Sequence, residues 1–289
     1  MTEGAPIERV GVVGSGLMGT GIAEVCARNG VDVLVAAPRA GSVERGRQRL
    51  LASLDKAVAR GRLTGAEREL ALERVAFTAD LDALGDRHLV IECIKEDQGA
   101  KTHLLGLLDK ILGDPGAVLA SNTSSIPIMR LARATERPAR VVGTHFFSPV
   151  PVLPLVELTA SLRTDPAVCD RVEAFLTGTL GKEVIRTQDR SGFVVNALLI
   201  PYILSAVRMV ESGFASAEVV DRAMRSGCSH PMGPLQLADL IGLDIVLSVS
   251  EALYAEFREP QFVPPPLLAR MVESDMLGRK AGEGFYDYR

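Results

Sequence analysis

Residues 10–29 read Val10-Gly-Val-Val-Gly14-Ser-Gly16-Leu-Met-Gly19-Thr-Gly-Ile-Ala-Glu-Val-Cys-Ala-Arg-Asn29. An apolar run of strand type ends at Val13. Glycines stand at 14, 16 and 19, and a helix-like stretch runs from Leu17 to Asn29. Glycine spacing alone is weak, because a chain with 27 glycines produces such intervals by chance. Strand, tight glycine turn and helix N-terminus in that order form the diphosphate cradle of a dinucleotide-binding domain. The turn aims backbone N–H groups at an anion, and the helix dipole adds to them. Gly14 permits the turn, Gly16 lets the backbone approach the diphosphate, and Gly19 lets the helix pack against the strand. Leu17 and Met18 carry the first N–H groups of that helix. The alternative is a purely structural glycine turn.

Bulk composition bounds the rest. At 289 residues the chain has room for two domains. Its 47% hydrophobic and 24% charged residues describe an ordinary globular protein. No apolar run reaches membrane-spanning length, and the polar lead-in Met1–Glu8 has no secretory pattern, so a cytoplasmic location without membrane attachment is expected. Cys26, Cys93, Cys169 and Cys228 are far apart and fit buried free thiols better than a disulfide framework. A net charge of -4 gives no support for a nucleic-acid surface. Histidines and cysteines lack ligand spacing, so no metal site is expected. No GxxxxGK loop is present, which argues against NTPase chemistry.

Outward from the glycine loop, strand and helix patterns alternate. Strand candidates are Val31–Ala36, Val75–Thr78, Leu89–Ile94, Ala117–Ala120, Val141–Phe147 and Leu155–Leu158. Helical stretches cover Arg45–Arg60, a segment opened by a Thr64/Glu67 capping box, and a segment reaching Lys110. The alternation predicts a mostly parallel sheet covered on both faces. Beyond about Ser191 the pattern turns helical: Phe193–Met209 with a kink at Pro201, Ser216–Gly227, Gly233–Leu240 and Leu243–Phe257. The fold expected is an α/β Rossmann-type N-terminal domain, residues 1–187, followed by an all-helical C-terminal domain, residues 188–289. The nearly continuous apolar helices of the second part suggest a homodimer, unless they are buried wholly within their own domain. The glycine-rich tail is expected to dock Phe285 and Tyr286 in a turn.

Ligands of an open parallel sheet lie beyond the carboxyl ends of its strands. Three polar clusters follow strand candidates there: Glu92–Glu96, Ser121–Ser125 and His145–Ser148. Of the four histidines, His145 is the one placed at a strand end, and imidazole exchanges protons near neutrality. Glu157 comes twelve residues later, where an adjacent strand brings its carboxylate to the other ring nitrogen. If a nicotinamide lies at the sheet edge, His145 takes the hydroxyl proton as hydride leaves a carbinol carbon. Ser124 and Asn196 either bind a substrate oxygen or cap helices.

These strings resemble the 3-hydroxyacyl-CoA dehydrogenase family, near its single-function 3-hydroxybutyryl-CoA branch. The resemblance covers nearly the whole chain. It is carried by VGVVGSGLMGTGIAEVCARNG (10–30), VIECIKED (90–97), LASNTSSIPI (119–128) and GTHFFSPVPVLPLVEL (143–158). GFVVNALLIPY (192–202), SHPMGPLQLADLIGLD (229–244) and GRKAGEGFYDY (278–288) add to it. It implies a two-domain, usually dimeric enzyme that oxidises the 3-hydroxyl of an acyl thioester with NAD or NADP. His145 is similar to the family's base, Glu157 to the acid that orients it, and Asn196 to its supporting asparagine. Ser124 is similar to the serine at the thioester end. Glu96 and Lys101 match cofactor contacts, and Ser53 and Arg60 match contacts to coenzyme A.

Three positions depart from the family pattern. Ala37 stands where an acid normally grips the adenosine ribose. Arg39, two residues on, is placed to meet a 2′-phosphate or else is a surface charge. Ser148 replaces an asparagine on the nicotinamide side, and Ala197 replaces an arginine beside Asn196. The departures leave open an unusual 3-hydroxyacyl group held on an acyl carrier protein, such as a glyceryl thioester. They also leave open a nucleotide-binding protein without catalysis.

Overall fold

The computed structural model describes residues 6–289, so the first five residues of the polar lead-in lie outside it. The chain divides into two compact units, Met1–Asp189 and Arg190–Arg289.

The first unit carries an eight-stranded sheet. Its strands are β1 (Arg9–Val13), β2 (Asp32–Ala36), β3 (Val75–Thr78), β4 (Leu89–Glu92), β5 (Val118–Ser121), β6 (Val141–Phe146), β7 (Leu155–Ala160) and β8 (Glu183–Gln188). Their spatial order is β3-β2-β1-β4-β5-β6-β7-β8. The first six are parallel. β7 runs antiparallel to β6, and β8 is parallel to β7. β1, β4, β5 and β6 are buried almost throughout, as expected of strands covered on both faces. Helices α1 (Leu17–Arg28), α2 (Ala40–Ala59), α3 (Gly65–Glu73), α4 (Gln98–Ile111), α5 (Ile128–Ala132) and α6 (Pro166–Ala174) make the connections.

Local chemistry explains several boundaries. Thr64 and Glu67 form the expected capping box at the start of α3. Asp97 accepts from the Ala100 N–H and opens α4. The short helix α5 and two longer elements are not in the sequence pattern. β8 is a half-exposed edge strand whose charged residues hide the alternation. α6 announces itself only by Asp165 at the cap and Pro166 in the first turn.

The second unit is helical: α7 (Val195–Glu211), α8 (Ala217–Gly227), α9 (Pro234–Ile241), α10 (Leu243–Phe257) and α11 (Pro266–Glu273). α11, which follows a run of prolines, was not anticipated. Ile203, Leu204, Val207, Leu235, Leu243, Val246, Leu253 and Leu268 form its core. Two buried carboxylates organise it. Asp221 of α8 accepts from the Leu235 and Gln236 N–H groups, so one helix supplies the N-terminal acceptor of another. Asp239 accepts from the N–H groups of Phe285 and Tyr286 and from the Tyr288 hydroxyl. That fixes the glycine-rich tail, with Phe285 and Tyr286 packed on the helical core as expected.

Candidate active site

The break in strand sequence, β1 beside β4, puts the glycine loop at the topological switch point of the sheet. Gly14 has φ +115°, and its N–H donates to the Ala36 carbonyl at 2.8 Å. A Cβ there would meet the Cys93 carbonyl oxygen at 2.6 Å. A Cβ on Gly19 would lie 1.8 Å from the Gly14 carbonyl oxygen, so helix and loop are as close as backbones allow. Gly16 differs: a Cβ there would meet nothing within 4 Å. Bare backbone thus faces open space at the one loop glycine where a ligand would approach. α1 has no side-chain cap and no acid in its first turn, so its leading N–H groups, those of Leu17 and Met18 among them, suit an anion. The residues fit the diphosphate of a dinucleotide.

Further along the same edge, the β4 and β5 ends are joined by charge. Glu92 is fully buried and accepts from the Lys101 ammonium at 2.7 Å and the Ser121 hydroxyl at 2.6 Å. Glu96 Oε1 accepts from the Thr123 hydroxyl at 2.5 Å, the Ser124 N–H at 3.0 Å and the Ser125 hydroxyl at 3.0 Å. Its Oε2 lies 3.3 Å from the Lys101 ammonium. Burial pushes the Glu96 carboxyl up, but the Lys101 charge and these hydrogen bonds outweigh it and hold it below its ordinary value.

The sign of the pH effect follows. A depressed folded pKa stabilises above the unfolded value of 4.5 and loses that stabilisation as pH falls through the folded value. Glu96→Gln is therefore expected to flatten the acid limb of unfolding free energy below that pH. Parallel acid limbs in urea titrations of the two proteins would refute this.

Lys101, expected beside the cofactor, is held by partners within the protein. Its ammonium is 1% exposed and meets Glu92, the Ile94 carbonyl at 3.3 Å and Glu96, matching its three donors. It braces the Glu96 loop from behind. Glu96 itself is exposed at the surface of that loop.

His145 and Glu157 stand directly opposite each other in the β6–β7 ladder. Paired residues share one face of a sheet. The His145 Nδ1 and a Glu157 carboxylate oxygen are 2.7 Å apart, Glu157 being fully buried and His145 7% exposed. The Phe147 ring packs against the imidazole at 4.4 Å between centroids. Two further residues hold this hairpin. Asn122 Oδ1 accepts from the Phe146 N–H, linking the loop after β5 to the end of β6. The buried Lys182 donates to the carbonyls of Val150 and Leu153 and pins the proline-rich turn. Neither was singled out in the sequence. Asn122 lies inside the polar cluster that was, whereas Lys182 gave no local signal.

The remaining candidates belong to several elements. Ser124, half-buried, lies on the Glu96 loop network, and Ser148 is exposed just past β6. Ser53 is half-buried in α2, and Arg60 is exposed at its C-terminal cap. Ala37 is buried at the end of β2, and Arg39 is exposed at the N-cap of α2. Asn196 is the second residue of α7 in the helical unit, half-buried, with Ala197 beside it. Among the described residues no cluster of His, Cys, Asp and Glu could hold a metal ion. None of their helices is long and apolar enough to cross a membrane.

The chain matches two family models. These are the 3-hydroxyacyl-CoA dehydrogenase NAD binding domain over residues 9–190 and the C-terminal domain of the same family over residues 192–288. It is 57% identical over 282 residues to a 3-hydroxybutyryl-CoA dehydrogenase of Mycobacterium tuberculosis, covering 98% of this chain and 99% of the relative. It is 43% identical to a probable 3-hydroxybutyryl-CoA dehydrogenase of Deinococcus radiodurans, over 97% of this chain and all of the relative. The crystal structure of Mycobacterium tuberculosis FadB2 superposes with a TM-score of 0.98 at 56% identity, covering 99% of this chain and 100% of that one. The (S)-3-hydroxybutyryl-CoA dehydrogenase of Ralstonia eutropha gives 0.92 at 42% identity, covering 98% and 99%.

Proposed function

The chain belongs to the 3-hydroxyacyl-CoA dehydrogenase family, and from that premise we propose how its own residues carry the reaction. It is an oxidoreductase that interconverts 3-hydroxyacyl and 3-ketoacyl thioesters of coenzyme A. The substrate we favour is 3-hydroxybutyryl-CoA, the one named for the relatives most like it among those given above. A nicotinamide cofactor held through its diphosphate by the loop Gly14, Gly16 and Gly19 would supply the reversible hydride transfer at C3.

The rest of the chemistry is proton management. The carboxylate of Glu157 holds the Nδ1 side of the imidazole, which assigns proton exchange to Nε2. As the C3–H electron pair leaves with hydrogen, the hydroxyl proton passes to Nε2 and the C3–O bond becomes a carbonyl. The imidazolium so formed faces the buried carboxylate 2.7 Å away, an arrangement worth more in a poorly solvated strand pair than in water. In reverse, Nε2 returns the proton to the nascent alkoxide. The single observation that carries this reading is the His145–Glu157 pair in register across two strands. Ser124 positions the thioester end, and Ser53 and Arg60 contact coenzyme A. Glu96 and Ser148 border the cofactor.

Mixing protein, 3-hydroxybutyryl-CoA and oxidised cofactor should raise absorbance at 340 nm. A loaded acyl carrier protein, turned over faster than the coenzyme A ester, would move the assignment to the carrier-bound class. No turnover of any 3-hydroxyacyl thioester despite cofactor binding would leave a nucleotide-binding protein without catalysis.

Glu157→Gln is expected to lower kcat by about 10- to 100-fold, since the amide keeps the geometry but cannot stabilise the imidazolium. A kcat within threefold of native would reduce Glu157 to packing.

The cofactor reading favours NADP(H), because Ala37 removes the acid that would repel a 2′-phosphate and Arg39 supplies charge nearby. A homodimer is proposed through the helical unit, which leaves Leu198, Met209 and Phe214 of the α7 segment exposed. Sedimentation velocity at micromolar concentration separates dimer from monomer.

A further inference from the structure

We infer that Arg45, with Ser42 and Arg39, forms the pocket that receives the 2′-phosphate of NADP(H), and that Arg45 rather than Arg39 sets cofactor choice. The inference rests on reading the glycine loop as a dinucleotide site and deepens the cofactor assignment made from Ala37.

Position comes first. Two hydrogen bonds fasten the opening turns of α2 to the glycine loop. The Ser15 hydroxyl donates to the Ser42 carbonyl at 2.7 Å, and Arg49 Nη1 donates to the Ser15 carbonyl at 2.7 Å. A Cβ on Gly46 would lie 2.6 Å from the Ser15 Cβ, so helix and loop touch with no space between them. The start of α2 therefore borders the place where the adenosine ribose must lie if the loop cradles the diphosphate.

Charge comes second. β2 ends at Ala36, and the Ala37 N–H donates to the Thr78 carbonyl, leaving only a buried methyl where an acid would grip ribose hydroxyls. Residues 37–43 contain no carboxylate. The first acid is Glu44, whose carboxylate accepts from Gln48 one turn further along α2.

Four arginines follow Ala37 within this segment, and the structure sorts them. Arg47 lies over the Phe77 ring at 5.5 Å, and Arg49 is committed to the loop carbonyl. Arg39 occupies the exposed N-cap position without capping the helix by its side chain. Arg45 turns back towards the helix start, its Nη2 donating to the Ser42 hydroxyl at 3.0 Å. Its other terminal nitrogen is 3.5 Å from where a Gly41 side chain would begin. A planar guanidinium anchored to a serine hydroxyl, over a residue without a side chain, presents the fork that binds phosphate oxygens in pairs. The i, i+3 spacing of Ser42 and Arg45 is the sequence signal of this arrangement.

The test is direct binding, read by nicotinamide fluorescence for NADPH and NADH and by calorimetry for 2′,5′-ADP and 5′-AMP. Native protein should bind NADPH and 2′,5′-ADP at least about tenfold more tightly than their counterparts. Arg45→Ala should lower the NADPH-to-NADH affinity ratio by about 10- to 100-fold, the usual range for losing charge-assisted hydrogen bonds to phosphate. Arg45→Lys should restore part of it, and Arg39→Ala should cost less. If Arg39→Ala erases the preference while Arg45→Ala does not, the Arg45 inference falls and the NADP(H) assignment stands. If native protein prefers NADH, both fall together. If neither dinucleotide binds, the reading of the glycine loop itself is wrong.

Discussion

Replacing His145 by Gln should lower kcat for 3-hydroxybutyryl-CoA oxidation by about 10²- to 10⁴-fold, the range expected for losing a positioned general base. Glutamine is close in length, and its amide can still donate to the Glu157 carboxylate, which is fully buried and must not lose its partner. What the amide cannot do is take a proton at neutral pH. The loss should therefore fall on kcat rather than on the cofactor dissociation constant, because the glycine loop follows β1, three strands away from β6 in the sheet. Two measurements separate these terms: steady-state absorbance at 340 nm for turnover, and NAD(P)H fluorescence titration for binding. A variant within threefold of native kcat would remove His145 from the reaction. A variant that no longer binds cofactor would show that the histidine also maintains the sheet edge.

The His145–Glu157 pair was legible in the sequence because two separate signals met. A histidine at a strand end and an acid twelve residues on, across a proline-rich turn, suffice if the strands are neighbours. The β6–β7 register then puts them opposite each other. Parallel strands in the middle of the sheet are apolar on both faces and short, so β1 was readable almost to the residue. β8 was not, because an edge strand needs no continuous apolar face. Lys101 shows what a motif leaves out. Its place after β4 suggested contact with a ligand, and the structure adds that its ammonium is buried among Glu92, Ile94 and Glu96. Which acceptors surround an ammonium in space is not encoded by spacing along the chain. Arg45 escaped for a related reason. Several arginines in one helix look alike until each guanidinium is traced to its acceptor.

Gly19→Ala and Gly16→Ala should part company in a way that tests the cradle itself. At Gly19 the added methyl would sit 1.8 Å from the Gly14 carbonyl oxygen and 3.0 Å from its carbon. Both neighbours are backbone, so no rotamer relieves the contact and the loop must shift by more than an ångström. Gly14 cannot yield easily. It is held by its hydrogen bond to Ala36, and the Cys93 carbonyl crowds its other side. Overpacking of this kind costs about 1–3 kcal/mol, with more where backbone is displaced. The variant should melt several degrees lower and bind NAD(P)H at least about 100-fold more weakly, since misaimed N–H donors lose the diphosphate. At Gly16 a methyl meets nothing within 4 Å in the protein, so thermal stability should stay near native. Cofactor affinity should still fall by about tenfold or more, because that open space is where a diphosphate must lie against bare backbone. Thermal unfolding and fluorescence titration on both variants give four readings. Undiminished cofactor binding by Gly16→Ala would mean that the diphosphate lies elsewhere, and the dinucleotide reading of the loop would fail with it.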